Sequence, residues 1–254
     1  GPQLTTLIIF ALGLSWRVAY GVSFVLQLVI TMVFLLSLPH WQRLDAERAS
    51  QAAGSSDTRP LDTLRLGAAW FSMTMFFLHA GSQIGTGQLT NTLLVDGRGV
   101  DPTVAGTWIS LYWGSLTVGR FLLGTIIDRI GSVLTLRASL FGNIVGALLL
   151  WWSPADWVAL IGLLVIGFTL APVLPTLTSQ TPGRVGLAHA GNVIGFQAAA
   201  SAIGSALLPG LAALLAQRVG LGTIGLYLVV LAVVSFVFHE MYVTREARID
   251  AVRH

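Results

Sequence analysis

Polar side chains recur at helical spacing inside runs that are otherwise apolar, and these residues are where chemistry would reside. His79 and Gln83 stand four apart, with Thr86 near the same stripe; that spacing puts them on one helix face. Trp108, Tyr112 and Ser115 line a face of the next run, and Gln197, Ser201 and Ser205 repeat every four residues further on, with Asn192 just before them. Amide, hydroxyl and imidazole groups with aromatic rings suit a hydroxyl-rich solute, whose polar groups they bond while the rings cover its apolar face. His79 is the histidine nearest the middle of an apolar run and the candidate proton site. Asn143, Ser201 and Ser205 read better as hydrogen bonds between helices, worth on average about 0.6 kcal/mol each. The five histidines are scattered, cysteine is absent, and no carboxylate pair falls within an apolar run. Nothing therefore resembles a metal cluster or an acid–base dyad, and no cofactor, metal or enzymatic activity is expected.

The elements that must position these groups are set by composition. The 254 residues are 54% hydrophobic and 10% charged, against about 25% charged in soluble domains. Apolar segments cover 1–14, 18–38, 66–90, 104–127, 133–152, 157–178, 188–214 and 221–239. Most are long enough to cross a hydrocarbon core, which takes about 20 residues in a helix. The expected fold is an all-α, multi-pass integral membrane protein embedded in a lipid bilayer. The first run is too short to span and has no signal-peptide features, so the chain is expected to begin in mid-helix as a fragment.

All 14 basic residues are arginine. Ten (Arg43, Arg48, Arg59, Arg65, Arg129, Arg137, Arg184, Arg245, Arg248 and Arg253) fall in alternate connections and the C-terminal tail. Arg17, Arg98 and Arg218 fall on the other side, and Arg120 lies within a segment. The positive-inside rule places the first group, and the C-terminus, in the cytoplasm. The arginines thus read as topology signals and not as a nucleic-acid surface. Trp151, Trp152 and Trp157 cluster at one expected interface, Trp41 and Tyr242 at the other. The domain expectation follows: 1–38 ends an N-terminal bundle, 39–63 is a polar cytoplasmic linker, 64–240 is a six-helix bundle, and 241–254 is a tail.

Two segments are interrupted at matching places. One carries Gly81 and Gly85 within His79-Ala80-Gly81-Ser82-Gln83-Ile84-Gly85; the other carries Pro172 and Pro175 within Ala171-Pro172-Val173-Leu174-Pro175. Glycine loosens a helix and proline frees backbone carbonyls, so all four are candidate hinges. Paired interruptions in corresponding positions point to a binding site between inverted repeats.

A further motif, Gly119-Arg120-Phe121-Leu122-Leu123-Gly124-Thr125-Ile126-Ile127-Asp128-Arg129-Ile130-Gly131, ends one segment and turns into the next. Its Gly-x-x-x-Asp-Arg-x-Gly spacing resembles the signature loop of the major facilitator superfamily. Ala171-Pro172-Val173-Leu174-Pro175-Thr176, then Thr181-Pro182-Gly183-Arg184 and His189-Ala190-Gly191-Asn192-Val193-Ile194-Gly195-Phe196-Gln197, resemble its sugar-permease members, most of all the fucose-permease-like branch. Ser110-Leu111-Tyr112-Trp113-Gly114 adds to that likeness. The resemblance implies the C-terminal six-helix bundle of a twelve-helix secondary transporter, two inverted three-helix repeats preceded by the end of the N-terminal bundle. It implies alternating access, a sugar or related small polar solute, a proton as coupling ion, the missing N-terminal half as partner, and a bacterial inner or plasma membrane. The expected substrate residues are His79, Gln83, Trp108, Tyr112, Asn192 and Gln197. Gly119, Arg120, Gly124, Asp128, Arg129 and Gly131 are expected to gate. Efflux of lipophilic cations would call for acidic residues in the cavity, and none lies mid-segment. A non-transporting scaffold is the remaining alternative.

Overall fold

The computed structural model describes the backbone of residues 15–51 and 58–253, and their side chains except at 19, 44–51, 123–129 and 246–253. Segment 1–14 and linker residues 52–57 lie outside the described residues. The chain divides into two units, 1–58 and 59–254. In the first, α1 runs Trp16–Gln51 with Pro39 inside it; helix therefore continues through 39–51, in the stretch expected to be a linker.

The second unit is built of helices α2 (Pro60–Thr63), α3 (Gly67–Arg98), α4 (Pro102–Ile130), α5 (Ser132–Trp152), α6 (Asp156–Leu170), α7 (Val173–Val185), α8 (Leu187–Val219) and α9 (Thr223–Arg253). Among the described residues, five helical spans are long and apolar enough to cross a membrane: Trp16–Arg43, Ser132–Trp152, Asp156–Val185, Leu187–Val219 and Thr223–Arg245. α3 and α4, with 32 and 29 residues, also have the length to span. They fall short on apolarity, because they carry the polar stripes described above. A polar helix is tolerated at membrane depth when protein covers it, and α3 is covered: His79, Ser82, Thr86 and Thr90 are all buried.

The packing has the form of a two-fold exchange. Taking α3, α4, α5 as one repeat and α6–α7, α8, α9 as the other, α3 packs along α8 just as α6 packs along α4. α5 meets α6 as α9 meets α3, and α5 meets α9. Glycines make the close crossings. A Cβ on Gly204 of α8 would strike the backbone of Phe77 on α3; a Cβ on Gly119 of α4 would lie 2.7 Å from the Phe168 carbonyl on α6. Each stands seventeen residues beyond its helix's first residue. Between α5 and α6 the glycines face each other, a Cβ on Gly162 falling 2.7 Å from the Gly146 carbonyl. Gly142 and Gly146 are four apart, the small-residue spacing that lets membrane helices approach closely. Leu150, Leu163, Ile166, Leu170, Ile224 and Leu228 fill the core beside these crossings.

The short connections carry their own signals. Gly131 has φ +84° in the turn between α4 and α5, the left-handed geometry glycine adopts without strain. Asp101 caps α4: its Oδ1 accepts from the N–H of Thr103 at 2.8 Å and of Val104 at 3.3 Å, with Pro102 at the first helical position. Those two N–H groups hold its carboxyl below the ordinary value of 3.8. The sign follows: the contribution is complete above that value and is lost as pH falls through the lower native one. Asp101→Asn keeps the cap without the titration, so its thermal melting point should lose the parent's decline below about pH 4. Parallel declines in both proteins would remove Asp101 as the source.

Candidate functional site

The structure brings together His79, Gln83 and Tyr112. His79 is buried on α3, one turn before the half-buried Gln83 on the same face. Tyr112, fully buried on α4, donates from its hydroxyl to the backbone carbonyl of Gln83 at 2.9 Å. That bond locks the α3–α4 pair at the level of the polar stripe. Tyr112, expected to bond a solute, thus has its hydroxyl proton engaged by the backbone of α3. Its ring lies edge-on to Trp113, 5.2 Å between centroids, and Trp113 in turn lies where a Cβ on Gly87 of α3 would stand. Trp108, half-buried, packs on the same core. The sequence pattern missed Trp113; its signal was Gly87, a small residue opposite a large ring.

Arg120 lies two turns beyond Tyr112 on α4, exposed, on the same helix stripe as Trp113. The side chains of Asp128 and Arg129, and the surroundings of Gly124, lie outside the described residues.

Asn192 and Gln197 are elsewhere. Asn192 donates to the Thr63 hydroxyl at 3.1 Å, and that hydroxyl pairs with His189 Nδ1 at 2.9 Å; the three tie α2 to the start of α8. Gln197, buried, donates through Nε2 to Thr181 Oγ1 at 2.8 Å, joining α8 to α7. Both expected ligands hold helices together here. The physical reason is that buried polar groups seek partners: Thr63 takes the Asn192 amide N–H and Thr181 that of Gln197, whose Oε1 stays buried without a bond.

The two interruptions differ. α3 runs unbroken through Gly81 and Gly85. A Cβ on Gly81 would strike Leu208 of α8, and one on Gly85 would touch Pro209 at 3.8 Å. These glycines admit a neighbouring helix, and the expectation that they break α3 is corrected. At Ala171-Pro172 the helix does divide, α6 ending at Leu170 and α7 starting at Val173. Pro172 has no N–H for the carbonyl of Phe168, and Pro175, in the first turn of α7, has none for that of Ala171. The Phe168 carbonyl is the one Gly119 approaches, so the kink and the α4–α6 crossing coincide.

An apolar groove of about 590 Å³ lies between α4 and α6, lined by Leu111, Val118, Ile161, Phe168 and neighbours. Its Ser115 and Thr169 hydroxyls donate to their own helices, to Tyr112 O and Val165 O, both at 2.8 Å. The groove therefore presents little to bond a polar solute. At the arginine-rich end, Arg184 lies over the stacked rings of Phe71 and Tyr242, 5.1 and 5.7 Å from their centroids. Beside it Arg137 pairs with Glu240 at 2.7 Å. That cluster fastens α7 to α3 and α9, and no periodicity in the sequence announced it.

Helices paired by a two-fold exchange, a polar stripe covered by protein, and a proline kink at a glycine crossing together define an all-α, multi-pass integral membrane protein. Residues 1–209 match the model of the Major Facilitator Superfamily, and the chain belongs to that family. It is 35% identical over 81 residues to an uncharacterized MFS-type transporter of Enterobacter sp. (strain 638). That stretch covers 32% of this chain and 21% of that protein, so the chain matches about a fifth of the relative's length.

Proposed function

We propose that this chain is the C-terminal part of a secondary transporter that moves a small polar solute by alternating access. A sugar is the first substrate class to test and a proton the coupling ion to test. The sequence likeness to the fucose-permease-like branch supports that order. We place the protein in a bacterial inner or plasma membrane with its C-terminus in the cytoplasm, on the arginine asymmetry. The domain reading also stays a proposal: the end of an N-terminal bundle, a linker, and the 64–240 bundle working against a partner half.

The observation that carries the reading is the buried stripe of α3. His79 and Gln83 sit at membrane depth on a helix too polar to face lipid, held in register by Tyr112. Polar groups at that depth mark solute paths in membrane proteins. The test uses the full-length protein in proteoliposomes with labelled L-fucose and D-glucose. Gln83→Ala removes one neutral hydrogen bond, about 0.5–1.5 kcal/mol, so KM should rise roughly 2- to 12-fold with expression unchanged. Saturable uptake that the variant leaves untouched would take Gln83 out of the site. Absence of any uptake would count against the sugar reading.

A further inference from the structure

Arg120 is a cation in a half-bundle that offers it no described counter-charge. It stands ten residues before the end of α4, about 15 Å along the axis at 1.5 Å per residue. A charge at that depth is costly and is kept where it meets a partner, water or a ligand. The described ion pairs are Arg65–Asp62, Arg137–Glu240 and His239–Glu240, and Arg120 is in none of them. Asp62 and Glu240 sit towards the arginine-rich end, Asp96, Asp101 and Asp156 sit near helix ends on the opposite side, and the side chain of Asp128, two turns on along α4, lies outside the described residues. Thr117, one turn earlier, and Trp113, two turns earlier, share its stripe, and Trp113 is the ring packed over Gly87 of α3. The stripe that carries the exposed Arg120 is thus the one that meets α3 through Trp113.

We infer that Arg120 selects for a solute carrying a carboxylate, so that the substrate class is a hydroxylated organic acid, such as a sugar acid, instead of a neutral sugar. The inference rests on the transport reading above and moves Arg120 from gating into the binding site. A guanidinium presents a planar fork of N–H donors that matches a carboxylate in two parallel hydrogen bonds. The amide of Gln83 is left for a hydroxyl of the same solute, and the indole of Trp113 for its carbon skeleton. A neutral sugar would leave the guanidinium unmatched. A cationic drug would be repelled.

The experiment compares matched pairs on the full-length transporter: D-glucuronate against D-glucose, and D-galacturonate against D-galactose. Thermal stabilisation of the purified protein and uptake by proteoliposomes are both read. The wild type should bind the acids at least tenfold more tightly than their neutral partners. Arg120→Gln should lose that preference, and Arg120→Lys should keep part of it, because the charge remains while the fork is lost. Neutral sugars binding as well as the acids, or an unchanged acid preference in a folded Arg120→Gln protein, would overturn the anion assignment and leave sugar transport standing. If neither acids nor sugars bind to folded wild-type protein, both readings fall. Should Arg120→Gln not fold, the wild-type comparison of acid with neutral partner decides alone.

Discussion

Gly204→Val is expected to unfold the bundle or leave it unable to pass size-exclusion as a single species. The Cβ that any other residue adds there meets the backbone of Phe77, with its carbonyl carbon at 2.8 Å and Cα at 2.9 Å. Backbone cannot rotate out of the way as a side chain does, so α3 and α8 would have to separate. Overpacking a core costs about 1–3 kcal/mol where side chains can adjust; here the cost should reach or exceed the top of that range. Leu78, Leu208 and Leu231 pack nearby and would lose their contacts too. Gly210→Val, six residues on in the same helix, is the control, since nothing lies within 4 Å of its Cβ position. Equal melting temperatures for the two variants would show that α3 and α8 do not cross at Gly204. The two-fold exchange extends the expectation to Gly119, where an added Cβ meets the Phe168 carbonyl and the Ala171 side chain, both at 2.7 Å.

These glycines show where sequence stops informing structure. Apolar length and the break at Pro172 were legible, because each rests on one stretch of chain: hydropathy and a missing N–H. The use of Gly81 and Gly85 was not legible. A glycine that loosens a helix and a glycine that admits a neighbour are the same letter, and Leu208 and Pro209, which decide between them, lie over 120 residues away. The polar residues divided in the same way. Spacing put His79 and Gln83 on one face, and the fold covers that face with protein. Spacing also put Gln197 among the ligands, but Thr181, which takes its amide, comes from the helix beyond the kink. Tyr112 was expected to bond a solute, but its hydroxyl donates to the main-chain carbonyl of Gln83, a partner that any residue at position 83 would supply.

Pro172→Ala should slow transport while sparing solute binding. Pro172 leaves the Phe168 carbonyl without its helical donor, and an alanine there restores an N–H at the place where α6 and α7 divide. The backbone on either side is already close to helical, Ala171 at φ −55°, ψ −48° and Pro172 at φ −83°, ψ −11°. Little rearrangement is therefore needed for the two helices to fuse. One recovered hydrogen bond is worth about 0.5–1.5 kcal/mol. If the kink must flex during each cycle, that stabilisation of the straight form adds to the barrier and slows turnover by roughly 2- to 12-fold. Pro182, inside α7, lies beyond the division, and Pro182→Ala should leave the rate near that of the parent. Uptake in proteoliposomes and equilibrium binding, measured on both variants of the full-length protein, separate the alternatives. Slower uptake with unchanged affinity in Pro172→Ala alone assigns the kink to conformational exchange. Equal loss of affinity and rate would instead make it part of the binding site, and an unchanged rate would make it a static bend that brings Arg184 of α7 over the rings of Phe71 and Tyr242.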